Sequence, residues 1–229
     1  VRVDVLDSYT GHVDPGGAAI RRDLESLSIT KISVGPMDNN AYLLVCRATN
    51  EALLIDAANE PDRLADLVGA DDGRPELNHL VTTHRHHDHW QALGAVAGMF
   101  QTRQIAHPLD APELPIPMDE LVEHGDTVRF GEIELEVVHL RGHTSGSIAL
   151  VYRDPAPGGY PHLFTGDSLF PGGHGKTATT EDHVQLMDDL EERIFGPLPD
   201  ETWFYPGHGD DSTLGAERPH LGEWRERGW

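Results

Sequence analysis

Short apolar runs set the rhythm of the chain. SITKISV at 28–34, AYLLVC at 41–46 and ALLID at 52–56 are rich in aliphatic and β-branched residues and are bounded by turn-forming ones, so each predicts a strand. Pro61 then opens a helix to about residue 69, with Leu64, Leu67 and Val68 on one face. A strand over 78–82, a helix over 90–99 and a strand over 103–106 follow. Four prolines between 108 and 118 exclude long regular structure there and predict a surface loop, a candidate wall for a site. Strands resume at 127–130, 132–139, 147–152 and 162–165; a helix spans 181–195, a strand 202–205 and a short helix 216–227. Strands outnumber helices, and helices fall between them, which predicts a layered α/β fold in one domain. Residues 1–27 lack periodicity, and they are expected to form an N-terminal extension packed on a main domain of residues 28–229. Neither a short repeat nor a low-complexity tract is present.

Composition narrows the setting. No apolar run approaches the roughly 18 residues of a membrane span, and VRVDVLDSYT carries no basic-then-apolar export pattern. Cys46 is the single cysteine, so no intrachain disulfide can form, and a cytoplasmic location is expected. Lys and Arg number 17 against 39 Asp and Glu, a formal charge of −22. That field repels phosphate backbones and anionic lipid surfaces. The expected partner is a small-molecule substrate, with neither nucleic acid nor membrane; a homo-oligomer stays open.

Histidine changes the picture, with 15 residues unevenly placed. In THRHHDH at 83–89, alternate residues of an extended segment face one way, so His84 and His86 can share one metal. Asp88 and His89 follow as the chain turns, placed for a second ion. Imidazole with carboxylate is the donor mix of Zn, and also suits Fe or Mn. His87 points away from its neighbours. His143 in LRGHTSGS, Asp167 in LFTGDSLF and His208 in YPGHGDD each follow an apolar strand beside glycine, which lets backbone come close to a metal.

THRHHDH, GHTSGS, TGDSLF and PGHG, in this order, resemble the motif set of the metallo-β-lactamase superfamily, in its glyoxalase II-like branch, from about residue 28 to 217. The resemblance implies a four-layer αββα sandwich with the site at one edge, between two sheets. It implies that His84, His86 and His143 bind one divalent ion and that Asp88, His89 and His208 bind another, with Asp167 bridging them. Asp56, closing the strand LLID, matches the family's buried carboxylate that orients ligands by hydrogen bonding. The chemistry implied is attack of a metal-bound hydroxide on a carbonyl, with Asp88 taking a proton as the intermediate collapses. Lys176 and His174, in PGGHGKT, sit where family members contact substrate.

The superfamily spans several activities, and fold does not choose among them. True β-lactamases carry other residues at the position of Asp167, and nucleases of the family add a domain or arm to hold RNA. Glyoxalase II adds a helical C-terminal domain that grips glutathione, whereas this chain ends 21 residues after His208. The expected activity is therefore hydrolysis of a small thioester, an ester or a lactone. A persulfide dioxygenase using one iron on His84, His143 and Asp167 is the alternative from another enzyme class. A non-catalytic metal-binding member is disfavoured, because every ligand position is filled.

Overall fold

The computed structural model describes residues 4–70 and 73–228. Residues 1–3 of the expected extension, and 71, 72 and 229 of the main domain, lie outside the described residues. Eight strands form one sheet in chain order: β1 (Val5–Leu6), β2 (Ala19–Asp23), β3 (Leu27–Val34), β4 (Asn39–Cys46), β5 (Glu51–Ile55), β6 (Glu76–Val81), β7 (Arg103–Ala106) and β8 (Glu120–Leu121). The pairs from β2 to β5 are antiparallel. The chain then crosses over through α1 (Pro61–Ala70) and α2 (Leu93–Phe100), so β5, β6 and β7 are parallel.

The second sheet begins with β9 (Thr127–Phe130), β10 (Ile133–His139), β11 (Ile148–Arg153) and β12 (Pro161–Gly166). A small hairpin of β13 (Leu169–Phe170) and β14 (Gly173–His174) follows, then α3 (Thr180–Leu190). The chain returns as β15 (Trp203–Pro206), parallel to β12, and β16 (Ser212–Thr213), and closes with α4 (Leu214–Glu217) and α5 (Leu221–Arg227).

Alternation along β4 shows why the layers stack. Tyr42, Leu44 and Cys46 join a core with Val137, Leu150 and Phe164 of the second sheet. Ala41, Leu43 and Val45 point the other way, onto Leu64, Leu67 and Val96 of α1 and α2. A strand buried on both faces reads as an unbroken apolar run, and AYLLVC is one. The outer face of the second sheet is covered in turn by Leu186, Leu190 and Trp224 from α3 and α5. The result is the expected αββα sandwich in one domain, each fully buried Leu contributing about 1.5–3 kcal/mol of transfer free energy.

The departures from the sequence pattern have local causes. Helix α2 starts at Leu93 rather than 90, because the amides of Gln91 and Ala92 donate to the carbonyls of Ala58 and Ala57. The C-terminal helix is broken into α4 and α5 by a 3₁₀ turn at Arg218–His220, where Pro219 has no amide to give. Residues 4–23 supply β1 and β2, the outermost strand of the first sheet and its neighbour, which no alternation announces. The proline-rich loop holds Asp110, a carboxylate only 1% exposed.

Candidate metal centre

The loops that carry His84, His86, His89, His143 and His208 bring them together in one place. After β6, the amide of Thr83 donates to Asp56 Oδ1 at 2.8 Å, and that of Ile148 donates to the Thr83 carbonyl, so His84 emerges between the sheets. The chain stays extended to His86 and then closes a 3₁₀ turn over His87–His89. The rings of His84, His86 and His143 stand 4.5–4.9 Å apart, and ligand atoms of the three converge within 4.8 Å. Asp88, His89 and His208 converge in the same way on the other side of the turn. His87 is exposed and lies against Trp90, as alternation predicts.

Asp167 stands between the two groups. Its Oδ1 is 3.3 Å from His89 Nε2, while Oδ2 is 3.5 Å from His208, 3.7 Å from His143 and 4.0 Å from His84. Gly207, ahead of His208, is required by this closeness: a Cβ there would lie 2.1 Å from Asp167 Oδ1 and 2.7 Å from the His89 ring.

Hydrogen bonds fix how the rings point. His89 donates from Nδ1 to Asp56 Oδ2 at 2.9 Å, His143 to the Lys176 carbonyl at 2.8 Å and His208 to the Met37 carbonyl at 3.0 Å. Thr83 gives its hydroxyl proton to Asp56 Oδ2 at 2.8 Å and so accepts from His84 Nδ1 at 3.0 Å. With each Nδ1 engaged outward, each Nε2 offers a lone pair inward. Nε2 of His84, Nε2 of His143 and Oδ1 of Asp167 are buried with no hydrogen-bond partner among the described residues. Lone pairs left unpaired in a dry site are costly unless a cation takes them, so the residues present fit divalent metal. Asp56 also lies near His84 and His89 in a potential ligand group, but both its oxygens are already committed to Thr83 and His89. Its part is to orient them.

Around His84, His86 and His143 the electrostatics agree, whereas at His89 and His208 burial lowers the pKa and the interactions led by Asp167 together raise it by more. Burial first, and the neighbouring His89 second, hold His84 well below the usual imidazole pKa; burial also lowers His86 and His143. Those three are neutral, as ligands must be. Burial alone would raise Asp167, yet His89, His208 and His84 hold it well below the carboxylate range. Asp88 is lowered too: burial raises it, and the hydrogen bond from Asn39, the charge of His89 and a backbone hydrogen bond together outweigh that.

Asn39 carries no motif and was not anticipated. Its buried amide nitrogen is 2.8 Å from Asp88 Oδ2, 3.4 Å from His89 Nε2 and 3.3 Å from His208 Nε2. The available signal was position, at the turn into the buried run AYLLVC. Lys176 is exposed on the loop whose carbonyl holds His143. His174 is 4% exposed, with Nδ1 on the Gly175 carbonyl at 2.6 Å and Nε2 on His183 at 2.9 Å, so its ring nitrogens are taken up by the loop backbone and by α3.

An edge-of-sandwich histidine and aspartate centre of this kind defines a class of metal-binding α/β proteins. Residues 34–208 match the family model of the metallo-beta-lactamase superfamily, and the chain belongs to that superfamily. It is 33% identical over 171 residues to the hydroxyacylglutathione hydrolase of Polaromonas sp. (strain JS666 / ATCC BAA-500), covering 74% of this chain and 62% of that one. The chain spans less than two thirds of three hydroxyacylglutathione hydrolases it matches, at 65%, 62% and 63% of their lengths. Among solved structures it resembles ETHE1 from Myxococcus xanthus, with 30% identity, a TM-score of 0.73, and 86% and 84% of the two chains covered. It also resembles the B3 metallo-beta-lactamase BLEG-1, with 26% identity, a TM-score of 0.72, and 86% and 99% covered. Its histidine and aspartate groups imply divalent metal.

Proposed function

We propose that this protein is a metal-dependent hydrolase of small thioesters, esters or lactones, working with two divalent ions, zinc by preference of the donor set. The observation that carries the reading is the pair of three-residue ligand groups facing each other across Asp167, with lone pairs of His84, His143 and Asp167 unpaired. His84, His86 and His143 would hold one ion; Asp88, His89 and His208 would hold the other; Asp167 would reach both. Bound there, such ions lower the pKa of water towards about 7 and polarise a carbonyl.

The chain's own groups do the rest. Asp56 and Thr83 keep His89 and His84 in the tautomers that present Nε2. Asn39 holds Asp88 by one oxygen, and Asp88, part-exposed at the mouth, is placed to accept a proton and return it to the leaving group. Lys176, exposed beside the site, is placed to pair with a substrate carboxylate. The charge of −22 supports a small-molecule substrate over nucleic acid or an anionic membrane. No helix among the described residues is long and apolar enough to cross a membrane. The lone, buried Cys46 supports a cytoplasmic setting.

The test is a panel of thioesters (a glutathione thioester included), esters, lactones and a β-lactam, offered to metal-free protein reloaded with Zn²⁺. Cleavage of an acyl substrate, abolished by His208→Ala, is expected. No turnover of any member by protein holding two ions would end the reading. The motif resemblance carries one second reading, a mononuclear iron oxygenase on His84, His143 and Asp167, and among these three His84 Nε2, His143 Nε2 and Asp167 Oδ1 are the unpaired atoms. Persulfide-dependent O₂ uptake by the Fe²⁺ form, undiminished by His208→Ala, would move the protein there.

A further inference from the structure

The two loops that carry His84, His86 and His143 come from different sheets, β6 of the first and β10 of the second. A single side chain from a third loop ties them together. Asp110 is 1% exposed. Its Oδ2 accepts from the amide of Arg85 at 2.9 Å and from the Thr144 hydroxyl at 2.6 Å, and its Oδ1 accepts from the amide of Gly146 at 2.9 Å. Arg85 stands between His84 and His86, and Thr144 follows His143. The nearest cation, the Arg85 guanidinium, is 3.8 Å away, so the hydrogen bonds carry most of the compensation for burying this charge.

Gly146 gives a second, independent sign of the same device. A Cβ on it would lie 2.7 Å from the Asp110 amide nitrogen and 2.8 Å from Asp110 Cγ and Oδ1. The second glycine of GHTSGS is thus the place where that loop closes on the carboxylate. Among the described residues, Arg85 adds a weaker strap, its guanidinium donating to Ser145 Oγ at 3.2 Å.

We propose that Asp110 is the positioning residue for the first ion: it sets the spacing of His143 from His84 and His86. The inference rests on the assignment of those three histidines to one ion. Ligand constellations must be held to within about 0.5 Å, and loops are poor at this without support. Asp110 supplies that support across the sheet–sheet gap, where no covalent link runs. An amide in its place would turn a donor towards one of the three donors and push one loop off.

The experiment is competition between zinc-loaded protein and a chromophoric chelator, with His84→Ala and His208→Ala marking which release step belongs to which ion. Asp110→Asn and Gly146→Ala should each weaken the His84-dependent step about 10–100-fold. The His208-dependent step should stay in place, and the Co²⁺ visible spectrum should change only for the first ion. Thr144→Val, which removes that one donor to Asp110 together with the same hydroxyl's bond to Ser147 Oγ, should shift the same step by less; it carries the test if Asp110→Asn fails to fold. Steps that both move in proportion to lost thermal stability, or that do not move at all, overturn the role of Asp110. Unaltered protein without a His84-dependent step overturns the ion assignment beneath it, and hydrolysis of the acyl panel judges the proposed activity separately.

Discussion

Two buried polar clusters lie side by side in this molecule, and they are finished to different degrees. In the first, Lys31 and Asp211 are both fully buried, and the three protons of the ammonium meet three acceptors: the carbonyls of Gly11 at 2.8 Å and Gly209 at 2.7 Å, and Asp211 Oδ1 at 2.6 Å. The other carboxylate oxygen accepts from the Tyr9 hydroxyl at 2.6 Å and Trp203 Nε1 at 2.9 Å. Burial pulls Lys31 down and pushes Asp211 up in pKa, and their pairing opposes both. Nothing is left over. In the second cluster, His84, His143 and Asp167 keep buried atoms without partners. A closed network holds the chain, whereas an open one waits for a ligand. The first also serves the second, because Lys31 grips Gly209, next to His208.

The largest expected effect comes from opening the closed cluster. Lys31→Met leaves Asp211 buried and unpaired, which should cost about 3–5 kcal/mol. Urea unfolding of ion-free protein measures it, and Lys31→Met with Asp211→Asn should recover part of the loss. His84→Ala, in the same ion-free protein, should cost less, since it leaves no buried charge unpaired and removes one neutral hydrogen bond, from Nδ1 to Thr83, with an Nε2 that has no partner. Equal losses would erase the distinction between the clusters.

Closing the open cluster is the next effect in size. Divalent metal at 100 times its Kd should stabilise the protein by about 2.7 kcal/mol per ion, and chelation should remove that gain. A thermal midpoint indifferent to both treatments would mean that the unpaired atoms are not a site. Asp56→Asn sharpens the point, because it spoils the bond that fixes His89. It should weaken the second ion 10–100-fold, about 1.4–2.7 kcal/mol, read by chelator competition.

The open cluster was legible in the sequence, and the closed one was not, for a physical reason. The proposed ligands come from loops that glycine lets approach closely, so His143, Asp167 and His208 carry local signatures. Lys31 sits in SITKISV, where a polar residue amid apolar ones reads as the solvent face; its partner 180 residues on is supplied only by the fold. Asn39 and Asp110 escaped notice likewise, each being one polar side chain whose partners come from distant loops. The layers were legible because AYLLVC of β4 and the run ALLI of β5 are apolar on both faces. The two-residue strands β1, β8, β13, β14 and β16 were not, being too short for alternation to register. His174 reads as a contact for substrate from its place after Asp167, and what the letters do not carry is that His183 meets it from α3.

The smallest effect tests whether an unpaired nitrogen alone marks a site. His162 is fully buried in the second sheet with Nε2 unpartnered, but among the described residues it belongs to no group of converging carboxylates and imidazoles. Its Nδ1 meets the Tyr205 hydroxyl at 2.7 Å; Tyr152 and Tyr160 flank the ring, and Arg22 is the nearest charge. Burial, and then Arg22, push its pKa down to about 3. The folded state therefore refuses a proton that the unfolded chain accepts below about 6.5. Stability from this group is fully present above that value and is lost as pH falls towards 3, at up to about 1.4 kcal/mol per pH unit. Between pH 7 and 5.5 the loss should be about 1 kcal/mol, and His162→Gln, which does not titrate, should remove it from the difference between the two proteins. Urea midpoints at the two pH values, measured in chelator, decide the matter. Parallel losses in both proteins would show that His162 takes up its proton without unfolding, and added metal should leave the His162→Gln difference unchanged if this nitrogen belongs to the core alone.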